Sequence, residues 1–382
     1  MSEHQFLRGS TDSGATCGSR QRWGGEGGYS LVEMMVASAI MLVVTGAIFT
    51  LVNPSQGTSQ AQPEVSDMQQ RMRVSVDTLY KDLVMAGAGP YQGSTAGSLT
   101  NFFAPILPYR VGKLSSDPAS GVYYRPDAIT LVYVPNTSSQ TTIADPMPNE
   151  SAEIKVTAQP NCPVGDALCG FREGMSVLIF DTTGTGAWES FEITQVQTAA
   201  LHMQHRGQKF QKSYDAGAYI TQVQFHTYYL DTATDRLMHY DGLASDLPVA
   251  DNVVGLQFRY YGDPNPPLAP KPAIGTANCL YDASGNLLLP VLPATSGSLV
   301  ELTQAMLTDG PWCGAAPSLF DADLFRVRKV RGAIRTQASS PGFRGSNPTL
   351  FSRPGTARGG ERFIPDFATT FEVSPRNLNL AR

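Results

Sequence analysis

LVEMMVASAIMLVVTGAIFTLV, residues Leu31 to Val52, is the stretch from which the rest of the chain is read. It holds 22 residues and a single charge, Glu33. As a helix it would extend roughly 33 Å, enough to cross the hydrocarbon core of a bilayer. Arg20 and Arg22 precede it, and the first charges beyond it are Glu64 and Asp67. That Lys/Arg bias predicts a cytoplasmic N-terminus and an exported remainder. A secretory signal peptide has a shorter apolar core with a small-residue cleavage site on its far side. A plain signal anchor explains length and flanking charge, but not an acid two residues into the apolar run. A carboxylate in hydrocarbon costs about 2.5 kcal/mol or more on insertion scales, so Glu33 is expected to have a partner or a function.

Outward from this core, the preceding residues extend the motif to GGYSLVE, Gly27 to Glu33. This resembles the type IV prepilin cleavage and methylation motif. The resemblance implies that prepilin peptidase removes a leader of residues 1–28 by cutting between Gly28 and Tyr29. It also implies that the new Tyr29 amine is methylated, and that Glu33 faces the terminal amine of a neighbouring subunit. Tyr29 stands where the family usually has Phe, which keeps the ring and adds a hydroxyl; the leader is long for many members. A free amine is cationic near neutral pH, so its pairing with Glu33 in a low dielectric would reward correct axial register.

Downstream of the assembly helix (29–52), Asn53, Pro54 and the polar stretch SQGTSQAQP (Ser55–Pro63) predict a hinge over 53–63. Val65, Met68, Met72, Val76, Leu79, Leu83 and Ala86 then recur at spacings of three and four. They predict an amphipathic helix over 64–89, ended by Gly87 and Gly89 before Pro90. Its apolar stripe is expected to pack on the chain's own sheet rather than form a seam between subunits; Arg71 and Arg73 read as solvated helix charges. After Pro90 the pattern turns to period two. Strands are expected over 128–134, 152–158, 175–181, 190–197, 201–205, 219–230, 236–240, 253–261, 324–337 and 369–373. One long helix followed by many strands gives an α+β chain with antiparallel sheets, whose β-rich head covers 90–382. The Pro-rich segment Pro264–Gly275 marks a loop-rich insertion over about 264–322.

Composition narrows function further. Charged residues make up 16% of the 382 and the net charge is −5, so no global basic field argues for nucleic acid. Arg326, Arg328, Arg331 and Arg335 with Lys329 form a local basic run in which Arg326 and Arg328 would share a strand face. It reads as a solvated face or edge protection before an anion site. The five histidines include no HExxH pair, and no GxxxxGK[ST] loop, GxSxG elbow or CxxC pair occurs, so no catalytic residue, metal or cofactor is expected. Asp181, Asp321 and Asp323 read as turn and strand-end residues before cation ligands. With Cys17 in the leader, four cysteines remain. In an oxidising compartment they allow three pairings; sequence proximity favours Cys162 with Cys169 and Cys279 with Cys313, against four free thiols.

Asp67–Gly87, Asp235–Gly242, Val253–Asp263, Leu324–Ala338 and Val373–Leu380 resemble, in order, segments of PilW-type minor pilins. GspJ-type pseudopilins of type II secretion are the near competitor. The resemblance implies a pilin-like fold and a structural, non-enzymatic subunit that initiates or tips a type IV pilus. Its expected partners are prepilin peptidase, other minor and major pilins or pseudopilins, and the inner membrane, which it would span once with a periplasmic head before entering the filament. A membrane-tethered exported enzyme and an adhesin-like binding head are the readings from other classes.

Overall fold

Helix α1 runs from Leu31 to Met85 in a computed structural model that describes residues 28–89, 99–112, 124–135, 139–159, 162–181, 188–295, 297–314, 319–357 and 363–379. Residues 1–27 of the expected leader, with Cys17, Arg20 and Arg22, lie outside the described residues, as does Pro90. The chain divides into two units, residues 1–57 and 58–382. In the first, Leu31–Thr50 is long and apolar enough to cross a membrane. Its large side chains, among them Leu31, Met35, Met41, Leu42 and Phe49, are all exposed. An apolar surface of this extent is stable only against lipid or other apolar helices.

Over 53–63, where the sequence predicts a hinge, helical geometry continues through Asn53, Pro54 and Pro63. Each proline removes an amide donor and costs about 3 kcal/mol in a helix interior. On the C-terminal side of this stretch, tertiary contacts oppose that cost. Ala61 and Met68 pack with Ala338, Phe343 and Ile364. Glu64 accepts a hydrogen bond from Ser339 Oγ at 2.7 Å and another from the Ser339 amide.

Within the second unit Met68, Met72, Leu79, Leu83 and Ala86 are buried, with Leu79 and Leu83 wholly enclosed. Each enclosed leucine stabilises the packing by about 1.5–3 kcal/mol. The helix stops where Gly87 adopts a φ of +78°. A Cβ there would also meet Leu378 Cδ2 at 2.7 Å, so both backbone and packing require glycine. The Gly87 amide leaves the helix pattern and donates to Val132 O at 3.0 Å, fastening the helix end to a strand of the first sheet.

The sheet facing the helix is antiparallel, with strands in the order Ile106–Leu107, Ala128–Tyr133, Gln224–Asp231, Arg236–Tyr240 and Asp246–Asp251. Pro248 lies in the last of these, an edge strand where a missing amide breaks no interior ladder. A second antiparallel sheet orders Val300–Leu302, Val253–Gly262, Val327–Thr336 and Phe367–Val373. Both sheets and the helix share the main core.

Between Tyr133 and Gln224 the chain builds a further lobe from two small antiparallel sheets around a separate core that includes Ile143, Phe191, Met203 and Ile220. Strand Ser176–Phe180 belongs to both cores: Val177 and Ile179 point into the lobe, Leu178 and Phe180 into the main core. Burial on both faces explains why VLIF, Val177 to Phe180, is continuously apolar where a half-buried strand would alternate.

The loop-rich segment 264–322 is inserted between two paired strands, Val253–Gly262 and Val327–Thr336, and it supplies strand Val300–Leu302 and gives Leu280, Leu289 and Leu307 to the main core. One expectation for the residues after it needs correction. Arg326 does not share a strand face with Arg328, because Ala322–Arg326 forms a 3₁₀ turn and the strand starts at Val327. Arg326 is fully buried, paired with Asp323, and donates to Pro264 O at 2.8 Å and Pro290 O at 2.6 Å. The cations beyond it meet the neighbouring segment: Lys329 bonds Glu372 at 2.9 Å and Arg335 pairs with Asp366 at 2.9 Å.

Arg326 thus ties the loop-rich segment to the second sheet with a charge that has no access to water. Arg326→Ala should destabilise the second unit by about 3–5 kcal/mol, because Asp323 is left buried without its cation. Urea unfolding of the full chain in detergent checks this, and Asp323→Leu combined with Arg326→Met should cost less than Arg326→Ala alone.

Candidate functional site

The N-terminal motif meets the helix at a defined cap. Ser30 precedes the first helical residue, its amide donates to Glu33 Oε2 at 2.9 Å, and the Glu33 amide donates to Ser30 Oγ at 3.2 Å. This is a capping box, and the S-x-x-E spacing of Ser30 to Glu33 encodes it. Glu33 therefore has a local role at the positive end of the helix dipole that the sequence reading passed over. Tyr29 is exposed, and none of the described residues lies within 4 Å of the point where Gly28 would carry a Cβ. Among the described residues, nothing covers the Gly28–Tyr29 bond.

The four cysteines beyond Cys17 form two disulfides. Cys162 bonds to Cys169, with Cα atoms 5.5 Å apart, in the lobe; Cys279 bonds to Cys313, at 5.1 Å, in the loop-rich segment.

A polar cluster lies where helix α1 crosses the first sheet. The buried positions Met68, Met72, Ser75, Leu79, Asp82 and Ala86 follow spacings of four and three, so a carboxylate occupies a core position of the stripe. Asp82 is only 5% exposed. The sheet register places partners opposite it: Leu131 pairs with His226 and Tyr228 with His239, so Tyr133, His226, Tyr228 and His239 project from one face.

Tyr228 donates to Asp82 Oδ2 at 2.5 Å and Tyr133 to Oδ1 at 3.2 Å. His226 Nδ1 lies 3.3 Å from Oδ2 and 2.8 Å from His239 Nε2, while its Nε2 is 3.1 Å from the Tyr133 hydroxyl. The Tyr133 and His226 rings stack with centroids 5.1 Å apart. Burial pushes both imidazoles below the usual histidine range, and the nearby Asp82 only partly offsets this. Both tyrosine hydroxyls are pushed up by burial and by the same carboxylate. The cluster thus presents neutral ring nitrogens to a carboxylate held by two phenols, an arrangement suited to chelation or to fixing helix against sheet.

Sequence reasoning missed this cluster. It sought histidines close together in the chain, whereas these two meet across a hairpin and their acid comes from a helix far upstream. The available signal was Asp82 itself, a charge at a core position between Leu79 and Ala86. The other aspartates act locally: Asp181 pairs with Lys212 at 3.0 Å, and Asp321 caps the 3₁₀ turn by accepting from the Asp323 amide. Burial raises the Asp321 carboxyl to about 6. His202 pairs with Glu153 at 3.0 Å, and His205 lies buried with Nε2 at 2.7 Å from Ala152 O.

Tyr228→Phe removes the shortest hydrogen bond to Asp82 and leaves the carboxylate under-satisfied. The change should cost about 1.5–3 kcal/mol, read as a lowered urea midpoint with an unchanged m-value. Comparisons of the chain with protein families, with characterised proteins and with solved structures find no match.

Proposed function

We propose that this chain is a prepilin-like minor subunit of the PilW type. It is inserted through its apolar helix, cut after Gly28 by prepilin peptidase, and built into the initiating or tip portion of a type IV pilus. The observation that supports the reading is the coincidence, within six residues from Gly28 to Glu33, of a Gly28–Tyr29 junction that no described residue covers and an acid at the mouth of an exposed membrane-length helix. Each feature has a commoner explanation alone; an apolar helix needs only lipid, and an acid at N3 needs only its cap.

The capping box and the proposed pairing are compatible. A carboxylate offers two oxygens and about four lone-pair directions, so the cap bond to Oε2 leaves room for a neighbour's amine. The two disulfides support residence of the head in an oxidising compartment, as a periplasmic orientation requires. A bulky head suits a tip or priming position better than a repeated shaft, an argument by analogy. The chain's work is then structural: its helix stacks beside others, the charge pair sets axial register, and motor proteins supply the energy.

Mass spectrometry of the native protein should find Tyr29 at the N-terminus and methylated; a mature chain that keeps Arg20 and Arg22 would overturn the processing step. Glu33→Gln separates the two roles of this side chain, because glutamine also closes a capping box but carries no charge. Membrane insertion and helix content should persist while incorporation into filaments is lost. Normal incorporation of that variant would remove the charge-pairing argument.

A further inference from the structure

We propose that Asp82, His226 and His239 form a site for a divalent transition-metal cation of the zinc class, which clamps the C-terminal half of helix α1 to the first sheet. One ligand atom from each of Asp82, His226 and His239 lies within 4.8 Å of the other two. His226 Nδ1 stands 3.3 Å from Asp82 Oδ2 and 2.8 Å from His239 Nε2. Donors around a tetrahedral zinc, at about 2.0–2.1 Å from the metal, are separated by about 3.3 Å, so seating the ion requires the histidine pair to open slightly and His239 to draw toward Asp82.

The donor set selects the metal. Two imidazole nitrogens and one carboxylate suit zinc and its neighbours, whereas calcium and magnesium prefer all-oxygen shells. Three protein ligands leave one tetrahedral position for water.

The surrounding hydroxyls have the arrangement of an outer shell. Tyr133 donates to Asp82 Oδ1, so its oxygen is free to accept from His226 Nε2 at 3.1 Å. That tautomer turns the Nδ1 lone pair toward Asp82. Nδ1 and Oδ2 are then two acceptors facing each other at 3.3 Å. A proton on His239 Nε2 reaches His226 Nδ1 at 2.8 Å, whereas a cation would serve all three ligands at once. Tyr228 donates to the same Oδ2 at 2.5 Å, which takes one of that oxygen's lone-pair directions and leaves another for the metal. Asp82 is buried but both histidines keep partial exposure, which provides an entry path.

The other grouping of possible ligands among the described residues, Asp309, Asp321 and Asp323, contains no nitrogen donor and is already engaged by the Gly310 amide and by Arg326. The zinc proposal stands independently of whether the chain enters a filament.

The test uses the full chain in detergent, stripped with a chelator and returned to zinc alone. One equivalent of zinc should remain bound per chain after gel filtration. X-ray absorption should report two imidazoles and light donors at about 2.0–2.1 Å. His239→Gln and Asp82→Asn should abolish stoichiometric binding, Tyr133→Phe should weaken it about 10–100-fold, and His202→Gln should leave it unchanged. Should the ligand variants fail to fold, the absorption spectrum of the native protein decides. No retained zinc, zinc without imidazole scattering, or undiminished binding in a folded His239→Gln protein would each overturn the site.

Discussion

Everything in the second unit depends on the seating of helix α1 on the first sheet. Leu79, Leu83 and Ala86 lose all contact with water there, and the same core takes in residues from both major sheets and the loop-rich segment. Apolar contact alone would tolerate a helix that slid or rolled by a turn, since one leucine resembles the next. Asp82 removes that freedom. Its carboxylate meets Tyr133, Tyr228 and His226 in one axial position only, and any other would bury it without donors. Polar pairing thus specifies what hydrophobic burial stabilises.

A division of labour runs along the helix. Its first part is apolar all round and exposed, so its stability depends on an environment outside the chain. Its second part is one-sided, with the apolar stripe covered by the chain's own sheets. The proposed assembly role belongs to the first part, and the proposed metal clamp to the second. A subunit that is extracted, inserted and stacked through one end of a helix benefits from having the other end firmly fixed.

The α+β class and much of the strand content were legible in the sequence. Arg236–Tyr240 matches its expected span, and Ala128–Tyr133, Val253–Gly262 and Ser176–Phe180 differ only at their ends, because their apolar periodicity reflects burial. Features set by tertiary context were not legible. Helix geometry across Pro54 and Pro63 contradicts local turn chemistry, and the visible support near Pro63 comes from residues 338–364. Asp246–Asp251 carries a proline and is a strand only because its edge position excuses the missing amide. Arg326 looked like one of several surface cations, yet a one-turn shift of backbone geometry buries it against Asp323. Of the two candidate sites, the motif at Gly28, Tyr29 and Glu33 is contiguous and could be read directly. The Asp82 cluster joins a helix to three strands and becomes visible only after folding.

The strand Ser176–Phe180 has a mechanical consequence. Because Val177 and Ile179 belong to one core and Leu178 and Phe180 to the other, this strand is a party wall. Melting the lobe beyond it would strip one side of the wall and leave the other side's ladder unsupported. The lobe and the main body therefore open together as one cooperative block, which gives a protease no loosened subdomain to seize.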